Sequence, residues 1–124
     1  MNAQADQQIN AVKIVGAGLI GTSIGLALAQ QGVSITIDDA DEKALALATD
    51  LLAPYLKASG EEKKEYDLVV IATPPASVIG TLKSEFLINP KSVFIDVSSV
   101  KTNLIQEIEV LPALSQSFVG THPM

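Results

Sequence analysis

The chain has no cysteine, no tryptophan and only one histidine among its 124 residues. Without cysteine it forms no disulfide and no thiolate-based catalytic, zinc or iron–sulfur site, and one imidazole cannot build a histidine-rich metal centre. Positive charge is also scarce, because eight Lys and Arg stand against 14 Asp and Glu, giving a net charge of −6. Nucleic-acid binding needs clustered Lys and Arg to displace counterions from phosphates, so the composition argues against a nucleic-acid partner.

Long hydrophobic runs are missing as well. No apolar stretch approaches the ~20 residues that span a bilayer. The first ten residues are polar and lack the basic segment that begins a secretion signal. We therefore expect a cytoplasmic protein without a membrane partner, and we predict that residues 1–10 form a poorly ordered tail.

What the chain does have is aliphatic residues, which bring its hydrophobic content to 48%. They occur in short runs, as in strands that helices cover on both faces. The predicted strands are residues 11–15, 33–37, 68–72, 92–97 and 117–119, with 55–58 as a candidate for a short additional strand. The predicted helices are residues 19–30, a helix capped by Asp41 that runs to residue 52, then 76–86 and 101–110. This alternation predicts one α/β domain with a doubly wound parallel sheet and any ligand at the carboxyl ends of the strands.

The clearest motif is Gly16-Ala17-Gly18-Leu19-Ile20-Gly21, between the first predicted strand and the first predicted helix. Gly16 permits a tight turn, Gly18 lets the backbone approach a pyrophosphate, and Gly21 lets the helix pack closely on the strand. The N–H groups at the start of the helix, including those of Leu19 and Ile20, then face the phosphates. The motif predicts a Rossmann-type dinucleotide site, and a glycine turn without a ligand is the alternative.

Asp38 ends the second predicted strand, 20 residues after Gly18, where a carboxylate accepts hydrogen bonds from an adenosine ribose. Because this carboxylate repels a 2′-phosphate, and Asp39 rather than an arginine follows it, the sequence favours NAD over NADP. A plain turn residue at the strand end is the alternative for Asp38. Asp39 and Asp41 are predicted to be a solvated turn residue and a helix cap.

Other strand ends bring polar residues to the same edge of the sheet. Thr73 and Pro74 follow strand 68–72. Thr73 is a candidate to line the nicotinamide ribose, and Pro74 is a candidate to keep the backbone open beside the cofactor, although a plain strand stop is the alternative. Ser99 and Lys101 follow strand 92–97, and they either project into the same crevice or cap the next helix. His122 taken alone is either a surface residue or a catalytic group.

Four segments of the chain together resemble one family. Residues 15–23, 72–75, 96–101 and 120–124 read VGAGLIGTS, ATPP, DVSSVK and GTHPM, which resemble the nucleotide-binding domain of the prephenate dehydrogenases, arogenate dehydrogenases included. Many dehydrogenases share the first segment, whereas the last two are specific to this family. The resemblance covers nearly the whole chain from residue 11, and it implies that residues 11–124 are a Rossmann-type dinucleotide-binding domain.

The resemblance implies an NAD(P)-dependent oxidative decarboxylation in tyrosine biosynthesis. The family histidine that matches His122 hydrogen-bonds the substrate hydroxyl and, while neutral, helps take its proton. The family serine that matches Ser99 orients both groups. Chains of this family normally continue into a helical domain that forms a homodimer and supplies an arginine for the substrate carboxylate. We expect that domain to be absent here, so that this chain alone binds the cofactor without completing the reaction.

Two other interpretations remain open. One is a non-catalytic dinucleotide-binding module that senses redox state or binds a partner. The other is a β-hydroxyacid or imine dehydrogenase with the same first half, against which Ser99 and His122 count. Prephenate and arogenate are not distinguished by this sequence, because they differ at the end that the missing domain would bind.

Overall fold

The computed structural model describes residues 9–55 and 65–97 and the backbone of residues 118–120. The strands are β1 (Ala11–Val15), β2 (Ser34–Asp38), β3 (Leu68–Ile71), β4 (Val93–Asp96) and β5 (Phe118–Gly120). They form one sheet in the order β2-β1-β3-β4-β5, in which every neighbouring pair is parallel. The parallel α/β sheet predicted from the sequence is confirmed.

In residues 9–55 and 65–97, three α-helices connect the strands, and they are α1 (Leu19–Gln30), α2 (Glu42–Leu52) and α3 (Val78–Ile88). Helix α1 has the bounds predicted from the sequence. It ends because Gly32 has a φ of +87°, a conformation that favours glycine. Asp41 precedes helix α2, and its carboxylate accepts the N–H groups of Lys43 and Ala44. The predicted N-cap is therefore confirmed.

Helices cover both faces of the sheet because the side chains of each strand alternate between the faces. Val69, Val70 and Ile71 are consecutive in β3, and all three are fully buried. Val70 belongs to a cluster with side chains of β1, α1 and α2. Val69 and Ile71 belong to a second cluster with α3 and β4. Helices α1 and α2 therefore cover one face, and α3 covers the other.

The sequence prediction is wrong at Tyr55, which was the start of a candidate strand. Residues Ala53–Tyr55 form a short 3-10 turn that continues directly from α2. Ala53 keeps helical dihedral angles, and Pro54, which has no N–H to continue the α-helical hydrogen bonds, follows where α2 ends. Residues 56–58 and the predicted helix 101–110 lie outside the described residues.

Strand β1 also has the predicted bounds, whereas the carboxyl end of β3 and both ends of β2, β4, β5 and α3 differ from the predicted bounds by one or two residues. Helix α3 is the clearest case, because it begins at Val78 rather than at residue 76. Residues Pro75–Ser77 form a 3-10 turn first, which suits the fixed φ of proline. In the part of the chain that the structure describes, no helix is long and apolar enough to cross a membrane.

The strands end in register along one edge of the sheet. Val15 is paired with Asp38 of β2 and with Ile71 of β3. Ile71 is paired with Asp96 of β4, which is paired with Gly120 of β5. Strand β2 pairs with β1 on one side, and β3 pairs with β1 on the other side. The turns after β1 and β3 therefore flank the switch point, which is the position where such sheets bind ligands.

Candidate functional site

The turn after β1 is packed against the loop after β3. Gly16 has a φ of +118°, and a Cβ at this position would overlap the carbonyl group of Ala72. A Cβ at Gly21 would overlap the carbonyl oxygen of Gly16. Both glycines are therefore required by the fold itself, because they allow this turn to form and α1 to lie against it.

Gly18 differs from Gly16 and Gly21, the other two glycines of the motif. Its φ of −74° and ψ of −167° are open to any residue. A Cβ built at Gly18 would meet nothing within 4 Å among the described residues. The fold therefore does not require a glycine here, and the missing side chain leaves the outer surface of the turn accessible to a group outside the protein.

The start of α1 has unused hydrogen-bond donors. Gly18 provides no capping side chain, and the first turn of the helix contains no acidic residue. Within the described chain, no acceptor bonds to the N–H groups of Gly18, Leu19, Ile20 or Gly21. Such groups, together with the helix dipole, favour a bound anion such as a phosphate.

Apolar side chains surround these donors. Leu19 is 85% exposed and Ile20 is 45% exposed, although both are large hydrophobic residues. Apolar surface beside an anion-accepting turn suits a ligand that carries both phosphate groups and uncharged rings. A dinucleotide has both.

Two carboxylates lie at the end of β2, and they have different surroundings. Asp38 is exposed, and among the described residues its Oδ1 accepts only the N–H of the next residue, over 2.9 Å. Asp39 is half-buried; its Oδ2 accepts the N–H of Ala17 over 2.7 Å, and its Oδ1 accepts the N–H of Asp41 over 2.8 Å. Asp39 is thus a turn residue, as predicted, but its carboxylate is bonded to two backbone N–H groups and is not simply solvated. The parallel register of Val15 and Asp38 places Asp39 beside the glycine turn.

Thr73 and Pro74 continue the chain after β3. The hydroxyl oxygen of Thr73 is buried and has no hydrogen-bond partner among the described residues. Pro74 is exposed and has extended dihedral angles, after which the 3-10 turn begins. A buried hydroxyl without a partner is unfavourable in a finished core, so Thr73 is a group that a ligand could satisfy.

Thr22 is a residue of the site that the sequence analysis did not single out. Its hydroxyl donates to the carbonyl oxygen of Ala17 over 3.0 Å. A threonine in the first turn after a glycine motif gives no sequence signal of its own, because most helical threonines bond to a carbonyl of their own helix.

The predicted catalytic residues Ser99 and His122 lie outside the described residues, as does Lys101. The strands before them are described, and Asp96 and Gly120 are paired at the ends of β4 and β5. No group of three or more potential metal ligands occurs in residues 9–55 and 65–97.

Comparison with known proteins identifies the family. Residues 24–124 match the model of the nucleotide-binding domain of prephenate dehydrogenase. A probable prephenate dehydrogenase of Streptomyces niveus, NovF, is 37% identical over 112 residues, which are 90% of this chain and 30% of the relative.

Two solved structures have the same fold. The prephenate dehydrogenase of A. aeolicus, in complex with hydroxyphenyl propionate and NAD+, is 25% identical with a TM-score of 0.77, over 96% of this chain and 43% of that one. A putative prephenate dehydrogenase of Corynebacterium glutamicum is 26% identical with a TM-score of 0.72, over 94% of this chain and 38% of that one. The chain thus spans less than half the length of these relatives. It belongs to the prephenate dehydrogenase family, of which it represents the nucleotide-binding domain.

Proposed function

We propose that this chain is the NAD-binding domain of a prephenate dehydrogenase, which converts prephenate to 4-hydroxyphenylpyruvate by oxidative decarboxylation in tyrosine biosynthesis. The observation that carries the proposal is Gly18, a glycine that neither backbone strain nor packing explains. Its bare backbone and the free N–H groups after it form a surface for a pyrophosphate.

The residues of the site fit a dinucleotide on chemical grounds. The N–H groups at residues 18–21 suit the pyrophosphate, and the exposed side chains of Leu19 and Ile20 suit uncharged parts of the ligand. The Asp38 carboxylate is free to accept ribose hydroxyls, and its charge disfavours a 2′-phosphate. Thr73 is assigned to the nicotinamide ribose, and Pro74 is assigned to keep the backbone open beside the cofactor. NAD is therefore the proposed cofactor, with NADP as the less favoured form.

The proposed reaction uses NAD as the hydride acceptor. The substrate hydroxyl is assigned to His122, whose neutral imidazole takes the hydroxyl proton. Ser99 is assigned to hold the imidazole and the hydroxyl in place. Support for this pair comes from the family resemblance and from the pairing of Asp96 with Gly120, because Ser99 and His122 follow these residues closely in the sequence.

We further propose that the activity belongs to a longer, homodimeric and cytoplasmic protein that includes a helical substrate domain. The chain spans 30% of its Streptomyces relative and 43% of the A. aeolicus enzyme, which supports an active protein that is longer than this chain. Arogenate dehydrogenase is the second candidate for the same chemistry. Its support is the sequence resemblance, which includes the arogenate dehydrogenases. A Synechocystis arogenate dehydrogenase, 24% identical, shares the fold with a TM-score of 0.72 over 91% of this chain and 40% of that one.

The experiment expresses the complete reading frame and measures NADH formation with prephenate and, separately, with arogenate. The proposal expects 4-hydroxyphenylpyruvate and carbon dioxide from prephenate, and a severe loss of turnover in His122→Asn with nearly unchanged NAD affinity. Turnover of arogenate alone would establish the second candidate. NAD binding without turnover of either compound would favour a non-catalytic module.

A further inference from the structure

Ala17 is held by side chains on both of its backbone groups. Its N–H donates to the carboxylate of Asp39 over 2.7 Å, and its carbonyl oxygen accepts the hydroxyl of Thr22 over 3.0 Å. The two side chains come from different elements, since Asp39 follows β2 and Thr22 lies in α1. The middle of the glycine turn is therefore tied to the sheet edge on one side and to the helix on the other.

The bond made by Thr22 differs from that of an ordinary helical threonine. Thr49 in α2 shows the usual pattern, because its hydroxyl donates to the carbonyl oxygen of Leu45, four residues earlier, over 2.8 Å. The carbonyl four residues before Thr22 is that of Gly18, which accepts the backbone N–H of Thr22 over 2.9 Å. The hydroxyl of Thr22 instead reaches Ala17, which lies outside the helix.

This contact fixes the direction of a neighbouring donor. The peptide between Ala17 and Gly18 is trans, and the C=O and N–H of a trans peptide point in opposite directions. Because the carbonyl of Ala17 points to Thr22, the N–H of Gly18 points away from it. Gly18 is exposed and no described residue accepts this N–H.

We propose that Thr22 and Asp39 are positioning residues, which hold the Ala17–Gly18 peptide so that the Gly18 N–H is presented to a phosphate of the dinucleotide. This inference rests on the proposed NAD binding. Asp39 fixes the peptide before Ala17 and Thr22 fixes the peptide after it, so the turn does not have to be ordered when the ligand binds. Neither side chain needs to touch the phosphate.

The test compares variants of Thr22 in the 124-residue chain, because Thr22 has no other assigned role in ligand binding. Thr22→Val keeps the size of the side chain and removes the hydroxyl. Thr22→Ser restores the hydroxyl. Thr49→Val is the matched control, since it removes the same kind of hydroxyl-to-carbonyl bond from α2. Each variant is titrated with NAD, ADP and adenosine, and binding is followed by NMR chemical shifts.

We expect Thr22→Val to weaken NAD and ADP binding by about fivefold, which corresponds to one lost hydrogen bond. The affinity for adenosine, which has no phosphate, should not change. Thr22→Ser and Thr49→Val should bind all three ligands like the original protein. Unchanged NAD affinity in folded Thr22→Val, or an equal loss for adenosine and ADP, would overturn the inference.

A second measurement needs no variant and applies even if Thr22→Val does not fold. Amide hydrogen exchange in the original chain should be slow at Ala17, which is bonded to Asp39, and fast at Gly18. Addition of ADP should slow exchange at Gly18. Binding of NAD and ADP without slowing at Gly18 would contradict the positioning role while leaving the proposed function intact. Failure of the original chain to bind NAD would overturn both.

Discussion

The carboxylate of Asp39 accepts the N–H of Ala17, 22 residues earlier in the chain, over 2.7 Å. This bond connects the end of β2 to the glycine turn after β1. In the usual dinucleotide fold, these two places bind the adenosine ribose and the pyrophosphate. The backbone carbonyl of the neighbouring Asp38 accepts the N–H of Gly16 over 2.8 Å, but its carboxylate accepts no hydrogen bond from the turn among the described residues. The two carboxylates are therefore expected to respond differently to substitution.

Asp38→Ala should weaken NAD binding more than NADP binding, because it removes a ribose acceptor for both ligands but also a charge that repels the 2′-phosphate. We expect the ratio of the NAD dissociation constant to the NADP dissociation constant to rise by about tenfold, since a hydrogen bond to a charged group contributes about 1.5 kcal/mol or more. Titration calorimetry with both nucleotides measures the ratio.

Asp39→Ala serves as the comparison for this prediction. It should weaken NAD and NADP alike and also lower the free energy of unfolding, because the N–H of Ala17 loses its acceptor. An equal loss of both nucleotides in Asp38→Ala would remove the ribose role from Asp38. A shift towards NADP in Asp39→Ala instead would assign that role to Asp39.

Thr73→Val should make the fold more stable but weaken NAD binding. The buried hydroxyl of Thr73 has no partner in the described residues, so its replacement by a methyl group of similar size should stabilise the fold by about 1 kcal/mol. The same change should weaken NAD binding if the cofactor is the missing partner. Urea unfolding and NAD titration measure the two effects, and Thr73→Ser should retain binding. A destabilised Thr73→Val with normal NAD affinity would mean that the hydroxyl serves the fold.

An ion pair between the sheet and α3 should be important for stability. Lys13 Nζ lies 2.6 Å from Glu85 Oε1, and both side chains are largely buried, with exposed fractions of 14% and 10%. Lys13→Met should lower the free energy of unfolding by about 3 kcal/mol, because the Glu85 carboxylate stays buried without its countercharge. Urea unfolding measures the loss.

Two controls test this ion pair, a single variant in α3 and a double variant that removes both charges. Lys83→Met removes an exposed lysine of α3 and should change stability by less than about 0.5 kcal/mol. Combining Lys13→Met with Glu85→Leu should recover most of the loss, because no charge is then left unpaired. A Lys13→Met variant as stable as Lys83→Met would show that Glu85 remains solvated.

The sequence predicted helix and strand positions correctly where nearby residues determine them. The bounds of α1 followed from the glycine turn before it and from Gly32 after it, and the cap of α2 followed from Asp41. Hydrophobic runs indicated the buried strands, because a parallel sheet covered on both faces needs continuous apolar residues. The candidate strand at Tyr55 failed because a 3-10 turn and a short strand of mixed residues have no distinct periodicity.

The contacts within the site could be predicted only in part. The motif indicated why Gly18 is a glycine, but it gave no sign of the bonds that Asp39 and Thr22 make to Ala17. These bonds depend on the register of β1 and β2 and on the path of the turn, which are set by tertiary packing. The register could have pointed to Asp39, since the residues after two paired strand ends lie side by side.

The central claim is that NAD binds over Gly18, and a matched pair of glycine variants tests it most directly. Neither Gly18 nor Gly80 of α3 would bring a Cβ within 4 Å of a described atom. We expect Gly80→Ala to become more stable by up to about 1 kcal/mol and to bind NAD normally. Gly18→Ala should lose no more than about 1 kcal/mol of stability.

Calorimetric titration with NAD then decides the question. The original chain and Gly80→Ala should each bind NAD at a single saturable site, and folded Gly18→Ala should bind at least about tenfold more weakly, or ~1.4 kcal/mol. No binding of NAD at millimolar concentrations by the folded original chain, or unchanged affinity in Gly18→Ala, would contradict the claim.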